Sequence, residues 1–287
     1  MLLRHIVAAT DESDAGRQAV RTAMDLASRT SARISIVRVI AVEAARHLVG
    51  VGNNARAYNP AQDEAARNHL RRWLQADVLA PNEADAADLA IGSGNPGIEI
   101  CRFAERAQAD LLVLGRKRHS PMMRLLLGDT ADAVARRSRV PCLFVPQGAP
   151  RISKVLVALD GSERGMNVLG PVCDFAAQVG ASLQAITVER GPANEPLHLV
   201  STLPVTRSSS LQARVREVLI KNALPDVPLV IRRGDILEWV MAEAQQTGAD
   251  VLALGYHRGG APGVIEGSST ARRLAHAAPC GVLTIPL

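Results

Sequence analysis

The chain is written twice, and that repetition limits its folds more than any other feature. His5-Ile-Val-Ala-Ala-Thr-Asp11 parallels Lys154-Val-Leu-Val-Ala-Leu-Asp160. Ala109-Asp-Leu-Leu-Val-Leu-Gly115 parallels Ala249-Asp-Val-Leu-Ala-Leu-Gly255, identical at five of seven positions. Pro141-Cys-Leu-Phe-Val-Pro146 parallels Pro279-Cys-Gly-Val-Leu-Thr-Ile-Pro286, two residues longer in the second copy. A period of roughly 140–150 residues is far too long for a solenoid and describes a tandem duplication of whole domains. The junction falls near Gln147-Gly-Ala-Pro-Arg151, giving expected domains at 1–147 and 151–287. The length of 287 residues agrees, at about 150 residues per domain.

Within each copy, short apolar runs alternate with segments of helical spacing. The runs lie near 5–9, 34–40, 88–91, 111–114 and 142–145, then near 154–159, 183–188, 228–231, 250–254 and 281–285. Runs this short and β-branched read as strands buried on both faces. Ala19, Ala23, Leu26 and Ala27 mark the apolar stripe of the first helix. Ser13/Asp14, Asn95-Pro96 and Asp235 signal helix starts. The alternation predicts right-handed βαβ units, and so an α/β fold of two tandem doubly wound five-stranded parallel-sheet domains, Rossmann-like in type. The stretches 43–60 and 190–210 hold glycines, prolines and serines and read as long mobile loops. The closing strands 142–145 and 281–285 are apolar, and as edges they are expected to pair, within the chain or between chains.

Composition excludes several functions. Aromatic residues are 2% of the chain, too few for base-stacking nucleic-acid platforms. The net charge of +5 is mild, and its surplus near Arg116–Arg118, Arg124 and Arg136–Arg139 accompanies no nucleic-acid motif. No apolar run is long enough to span a membrane, and the start MLLRHIVAATDESD lacks the pattern of a secretory signal. Cys101, Cys142, Cys173 and Cys280 are isolated and read as buried free thiols, so the expected compartment is the reducing cytoplasm. No grouping of His, Cys, Asp and Glu has metal-ligand spacing, and no metal site is expected.

Ligands of doubly wound sheets bind beyond the carboxyl ends of the strands, where strand order reverses. Two features of each copy should meet there: the aspartate ending the first strand, Asp11 or Asp160, and a glycine-bearing loop opening at Gly115 or Gly255. A following helix, starting near Asp129/Thr130 or near Ser268/Ser269/Thr270, offers amides suited to phosphate. Each feature has a plainer reading. The aspartate is also a helix cap, the glycine also a turn residue, and Arg116–Arg118 also a solvated loop.

Together, Val7-Ala-Ala-Thr-Asp11-Glu-Ser13, Val157-Ala-Leu-Asp160-Gly-Ser162, Ala109-Asp110…Gly115, Ala249-Asp250…Gly255 and the Pro-Cys closing strands resemble the universal stress protein family over essentially the whole chain. The resemblance implies a non-catalytic cytoplasmic stress-response protein, often dimeric, in a family where some members bind ATP and others do not. Nucleotide-binding members resemble Gly-x2-Gly-x9-Gly-(Ser/Thr) after the fourth strand. The first copy keeps Gly115 and Gly128 but has Arg118 at the middle glycine, Asp129 after Gly128, and Thr130 one place late. A side chain at 118 obstructs close backbone approach to phosphate, and a carboxylate at 129 competes for the helix N-terminus. Arg116, Lys117, Arg118 and Arg124 offset this with positive charge. The second copy is one residue shorter between Gly255 and Gly267, carries Gly259 beside Arg258, and keeps the Gly267-Ser268-Ser269 ending.

The second copy is therefore the better candidate for ATP or AMP. By resemblance, Asp160 and the backbone near Val188 would hold the adenine, Gly255 and Gly259 would line the phosphates, and Gly267, Ser268 and Ser269 would hold ribose or phosphate. The weaker first-copy set is Asp11, Val39, Gly115, Arg118, Gly128 and Thr130. The competing reading is a scaffold with degenerate pockets, acting through self-association or homodimers. Catalysis is disfavoured, because the chain has no Walker Gly-Lys-Ser/Thr, no Ser-Gly-Gly-x-Asp-Ser loop and no Gly-x-Ser-x-Gly elbow.

Overall fold

The computed structural model describes residues 1–41, 60–116, 128–189, 208–221, 226–256 and 266–287. The chain divides into two compact units that meet in sequence between Gly148 and Ala149, with Met1 and Leu2 grouped with the second. Most of the two stretches expected as mobile loops lies outside the described residues, as do Lys117, Arg118, Arg124 and Gly259. The ends of those stretches are helical: Pro60 opens one helix and Ser208 another.

The first unit contains β1 (His5–Thr10), α1 (Asp14–Thr30), β2 (Arg33–Ile40), α2 (Pro60–Asp77), α3 (Pro81–Ala86), β3 (Asp88–Ser93), α4 (Pro96–Arg106), β4 (Leu111–Arg116), α5 (Asp129–Arg137) and β5 (Cys142–Pro146). Every pairing is parallel, in the order β3-β2-β1-β4-β5. All six residues of β1 are buried, as its central place requires, whereas β3 at the edge is half-buried with exposed ends. Order reverses between β1 and β4, which sets the crevice at their carboxyl ends.

The second unit repeats this with β6 (Lys154–Leu159), α6 (Glu163–Met166), α7 (Leu169–Gln178), β7 (Ser182–Glu189), α8 (Ser208–Lys221), β8 (Leu229–Arg233), α9 (Ile236–Thr247), β9 (Val251–Tyr256), α10 (Glu266–Ala277) and β10 (Gly281–Pro286). Its strands pair in parallel as β8-β7-β6-β9-β10, so β6 and β9 flank its crevice. The fold expected from the sequence is the one observed.

The capping signals act locally as their chemistry dictates. The Ser13, Asn95 and Asp235 side chains accept from the backbone N–H groups of Gly16, Ile98 and Glu238 and start α1, α4 and α9. The repeated Ala-Asp pair is a structural clamp. Asp110 Oδ2 accepts from the N–H groups of Arg4 and His5 at 2.8 and 2.9 Å. Asp250 Oδ2 accepts from the Ser153 N–H and hydroxyl and the Lys154 N–H at 2.8, 2.8 and 2.9 Å. Each carboxylate ties the start of the domain's first strand to the start of its fourth through charge-assisted bonds.

The copies differ where their sequences do. α1 is continuous over 17 residues, whereas its counterpart is broken between Met166 and Leu169. Pro171 has no N–H to give the Asn167 carbonyl, so the helix cannot run through. The Pro-Cys motifs are not equivalent either. Cys142 stands beside Leu112 in β5, whereas Val282 stands beside the matching Leu252, which leaves Cys280 ahead of β10. All four cysteines are free and buried. Burial pushes the Cys101 thiol up to about 11, helped by Glu105, and the Cys173 thiol up to about 11, helped by Asp174.

Candidate functional site

A cavity of about 400 Å³ opens at the carboxyl ends of β6 and β9 in the second domain, within the size range of small-molecule sites. Its wall includes Asp160 after β6, Thr187, Val188 and Glu189 of β7, and Gly255 of β9. Ile236 and Val240 of α9, and Ala271 and Leu274 of α10, complete an apolar side, with Thr270 next to them in the lining. Three residues named from the sequence, Asp160, Val188 and Gly255, thus converge on one space. Gly267, Ser268 and Ser269 belong to the first turn of α10, which begins at Glu266, two to four residues ahead of the expected start. Backbone N–H groups of a first turn lack intrahelical acceptors.

The Asp160 side chain is set by a small motif. Its Oδ1 accepts from the Ser162 N–H at 2.9 Å and from the Ser162 hydroxyl at 2.8 Å. Ser162 Oγ in turn accepts from the Gly165 N–H at 2.9 Å, capping α6. A Cβ on Gly165 would fall 1.8 Å from Asp160 Oδ1, so the carboxylate fits only over a glycine. The first domain repeats the motif: Ser13 donates to Asp11 through its N–H at 3.1 Å and through its hydroxyl, and Gly16 donates to Ser13 Oγ. Asp-x-Ser-x-x-Gly at 11–16 and 160–165 was legible as a spacing, and Gly16 and Gly165 were its overlooked members. The aspartates do not cap the helices. Serine is the cap and the aspartate orients it. Asp160 Oδ2 receives no bond among the described residues.

Two expectations about the fourth strand are corrected. Gly115 and Gly255 do not open loops: they lie inside β4 and β9, beside Val145 and Ile285, because each strand runs two residues beyond its apolar run. Gly115 serves packing, since a Cβ there would meet the Ala15 carbonyl oxygen at 2.2 Å. α1 therefore lies directly on β4. At Gly255 a Cβ would instead meet side-chain tips, Leu287 Cδ1 at 2.6 Å and Val168 Cγ2 at 2.8 Å. Arg116 does not belong to a solvated loop. It ends β4, is fully buried, and corresponds to buried Tyr256 in β9.

Among the described first-domain candidates, Val39 and Gly115 hold the places that Val188 and Gly255 hold in the second domain. Val39 lies in β2 next to its end, and Gly128 caps α5 without a side-chain bond. Asp129 does not cap the helix; it is the first residue after the cap, with Thr130 exposed beside it. Between Asp11 and Ser13, Glu12 adopts φ +62°, a left-handed conformation that costs a residue with a side chain about 1–2 kcal/mol. Gly161 holds the same place in the second domain at φ +73° without that cost. Glu12 Oε1 lies 2.9 Å from Arg38 Nη1 and Oε2 lies 3.1 Å from His69 Nε2. Composition and motif spacing gave no sign of this cluster, whose members are 26 and 31 residues apart.

The charged residues among those described as lining the second-domain cavity are Asp160 and Glu189. Glu189 is paired with Arg233 at 3.4 Å. One turn beyond Val240, buried Glu243 receives Gln184 Nε2 at 2.6 Å and Arg232 at 3.5 Å, and Arg232 lies 5.3 Å from the centre of the Trp239 ring. Among the described residues, no cluster of His, Cys, Asp and Glu could hold a metal ion, and no helix is long and apolar enough to cross a membrane.

Comparison with known proteins agrees with this architecture. A universal stress protein of Methanocaldococcus jannaschii is 27% identical over 144 residues, half of this chain and 82% of its own length. One from Synechocystis is 23% identical over 275 residues, 89% of this chain and 90% of its own. The crystal structure of a universal stress protein from Archaeoglobus fulgidus shares the fold, with a TM-score of 0.73 at 18% identity over 98% of both chains. The sequence profile of the universal stress protein family matches residues 3–146 and again residues 151–286. The chain therefore belongs to the universal stress protein family, as two family units in tandem.

Proposed function

We propose that the second domain binds an adenine nucleotide, ATP or AMP, as a regulatory ligand in a cytoplasmic stress-response protein that does not turn it over. The observation that carries this reading is the cavity of about 400 Å³ at the strand-order reversal, with Asp160 in its wall and Thr270, Ala271 and Leu274 of α10 lining it. The Asp160 carboxylate, oriented by Ser162, suits an exocyclic amine donor, and the apolar side formed by Ile236, Val240 and Leu274 suits a base. The amides of Gly267, Ser268 and Ser269 suit a phosphate or ribose hydroxyl, and Gly259 falls in the intervening segment. Absence of turnover accords with a sequence that has no Walker or nucleophile-elbow motif.

The test is direct. Protein purified without added nucleotide is denatured, and released adenine nucleotides are quantified by mass spectrometry, followed by ATP titration of the native chain. Stoichiometric nucleotide, or saturable ATP binding that Asp160→Ala reduces at least tenfold, is the expected result. Affinity unchanged in Asp160→Ala would place the ligand elsewhere.

One observation favours a second reading. Val168 and Leu287 lie against Gly255, and Asp160 Oδ1 is already engaged by Ser162, which suits a closed pocket in a scaffold acting through self-association or partner proteins. A flat ATP titration with an intact fold selects it.

A further inference from the structure

We propose that the first domain's crevice is closed from within by the Glu12–Arg38–His69 cluster, and that Glu12 and Arg38 are the residues that confine the chain to one nucleotide site. The identity of the ligand rests on the nucleotide reading above; the closure rests on the first domain's own geometry.

Strand register makes the two crevices comparable position by position. Thr10 pairs with Arg38 in β1–β2, and Leu159 pairs with Thr187 in β6–β7. Asp11 follows Thr10 as Asp160 follows Leu159. Arg38 therefore occupies the place of Thr187, which lines the second-domain cavity, and Glu12 occupies the place of Gly161. Glu12 and Gly161 share a left-handed backbone, φ +62° and +73°, so what separates the two turns is the side chain.

That side chain is held. Glu12 is only 15% exposed and Arg38 26%, and their charged ends lie 2.9 Å apart. His69 of α2 adds a second contact to the same carboxylate at 3.1 Å. The pair joins the carboxyl end of β1 to that of β2, across the position where the second domain offers a glycine and a small hydroxyl. A base entering there must separate a largely desolvated ion pair, and a buried pair split in this way leaves both charges uncompensated. The Glu12 carboxylate also follows Asp11 in the chain, and this added negative charge opposes the approach of an anionic ligand as a whole. Arg38 does not offset that charge for a ligand, because Glu12 already engages it.

Equilibrium dialysis with labelled ATP on the full chain tests this. The wild-type chain should bind one ATP, and Asp160→Ala should abolish it. The double variant Glu12→Gly/Arg38→Thr should bind two, with the added site surviving Asp160→Ala. Two ATP per wild-type chain, or one that survives Asp160→Ala, overturns the closure while leaving nucleotide binding as such intact. If the double variant does not fold, these wild-type and Asp160→Ala stoichiometries decide, with Glu12→Gly alone as the milder opening. If the wild-type chain binds no ATP, the nucleotide reading fails by itself. The double variant then decides the closure: a gained site supports it and no gain overturns it.

Discussion

Adding one methyl group at the same place in the two domains should have unequal consequences. A Cβ on Gly115 would lie 2.2 Å from the Ala15 carbonyl oxygen, 2.3 Å from its carbon and 2.8 Å from the Gly16 nitrogen. All three are backbone atoms of the first turn of α1, so the helix must retreat by about 1 Å to restore ordinary contact. Overpacking of this kind costs about 1–3 kcal/mol. The retreat also strains the Ser13 cap, worth about 1 kcal/mol. Gly115→Ala should therefore lower first-domain stability by about 3 kcal/mol, a large share of the 5–15 kcal/mol typical of a domain. A Cβ on Gly255 meets only rotatable tips of Leu287 and Val168 at 2.6 and 2.8 Å. The reduced freedom of the unfolded chain returns about 0.4–1 kcal/mol, so Gly255→Ala should cost the second domain about 1 kcal/mol or less. The two tryptophans separate the signals, because Trp73 lies in α2 and Trp239 in α9. Urea unfolding of single-tryptophan chains, made with Trp→Phe at the other site, reads each domain. With a slope of about 2 kcal/mol per molar urea, the first-domain midpoint should fall by about 1.5 M and the second by about 0.5 M or less. Equal shifts, or a larger one for Gly255→Ala, would refute the assignment of Gly115 to helix–strand contact.

Other outcomes follow from the same geometry. Asp250→Ala removes the acceptor of three bonds and should destabilise the second domain by about 2–3 kcal/mol, with Asp250→Asn intermediate; denaturation midpoints check it. Gly165→Ala should displace the Asp160 carboxylate and weaken ATP binding as strongly as Asp160→Ala, measured by titration; unchanged affinity removes Asp160 from the site. The Cys101 and Cys173 thiols, both raised to about 11, keep their protons in the folded chain after the unfolded chain has begun to lose them near pH 9. Their contribution to stability is thus complete below pH 9 and lost as pH rises toward 11, and folded protein at pH 8 should resist thiol reagents until denatured.

The sequence carried most of the architecture. Strand positions followed from short β-branched runs, and helix starts at Ser13, Asn95 and Asp235 followed from side chains that can accept a first-turn N–H. These are local signals, decided within three or four residues. The errors lay where neighbours in space decided. Gly115 and Arg116 read as loop, yet β5 extends the ladder through both. Arg116 read as solvated because a guanidinium is normally wet, whereas its strand position buries it completely.

The candidate site divides along the same line. Sequence alone determined that the chain is a duplicated α/β protein, that each copy ends its first strand in aspartate, and that the second copy keeps the glycine–serine helix start. Periodicity and motif spacing record such facts because they are local or repeated. Tertiary structure alone decided that Thr187, Val240 and Thr270 share a cavity with Asp160, and that Glu12 meets Arg38 and His69. Those residues come from separate strands and helices, and only the parallel register of β1 with β2 and of β6 with β7 brings them to the crevices. A contact between side chains dozens of residues apart leaves no period in the sequence. It exists because the sheet places the carboxyl ends of neighbouring strands about 5 Å apart.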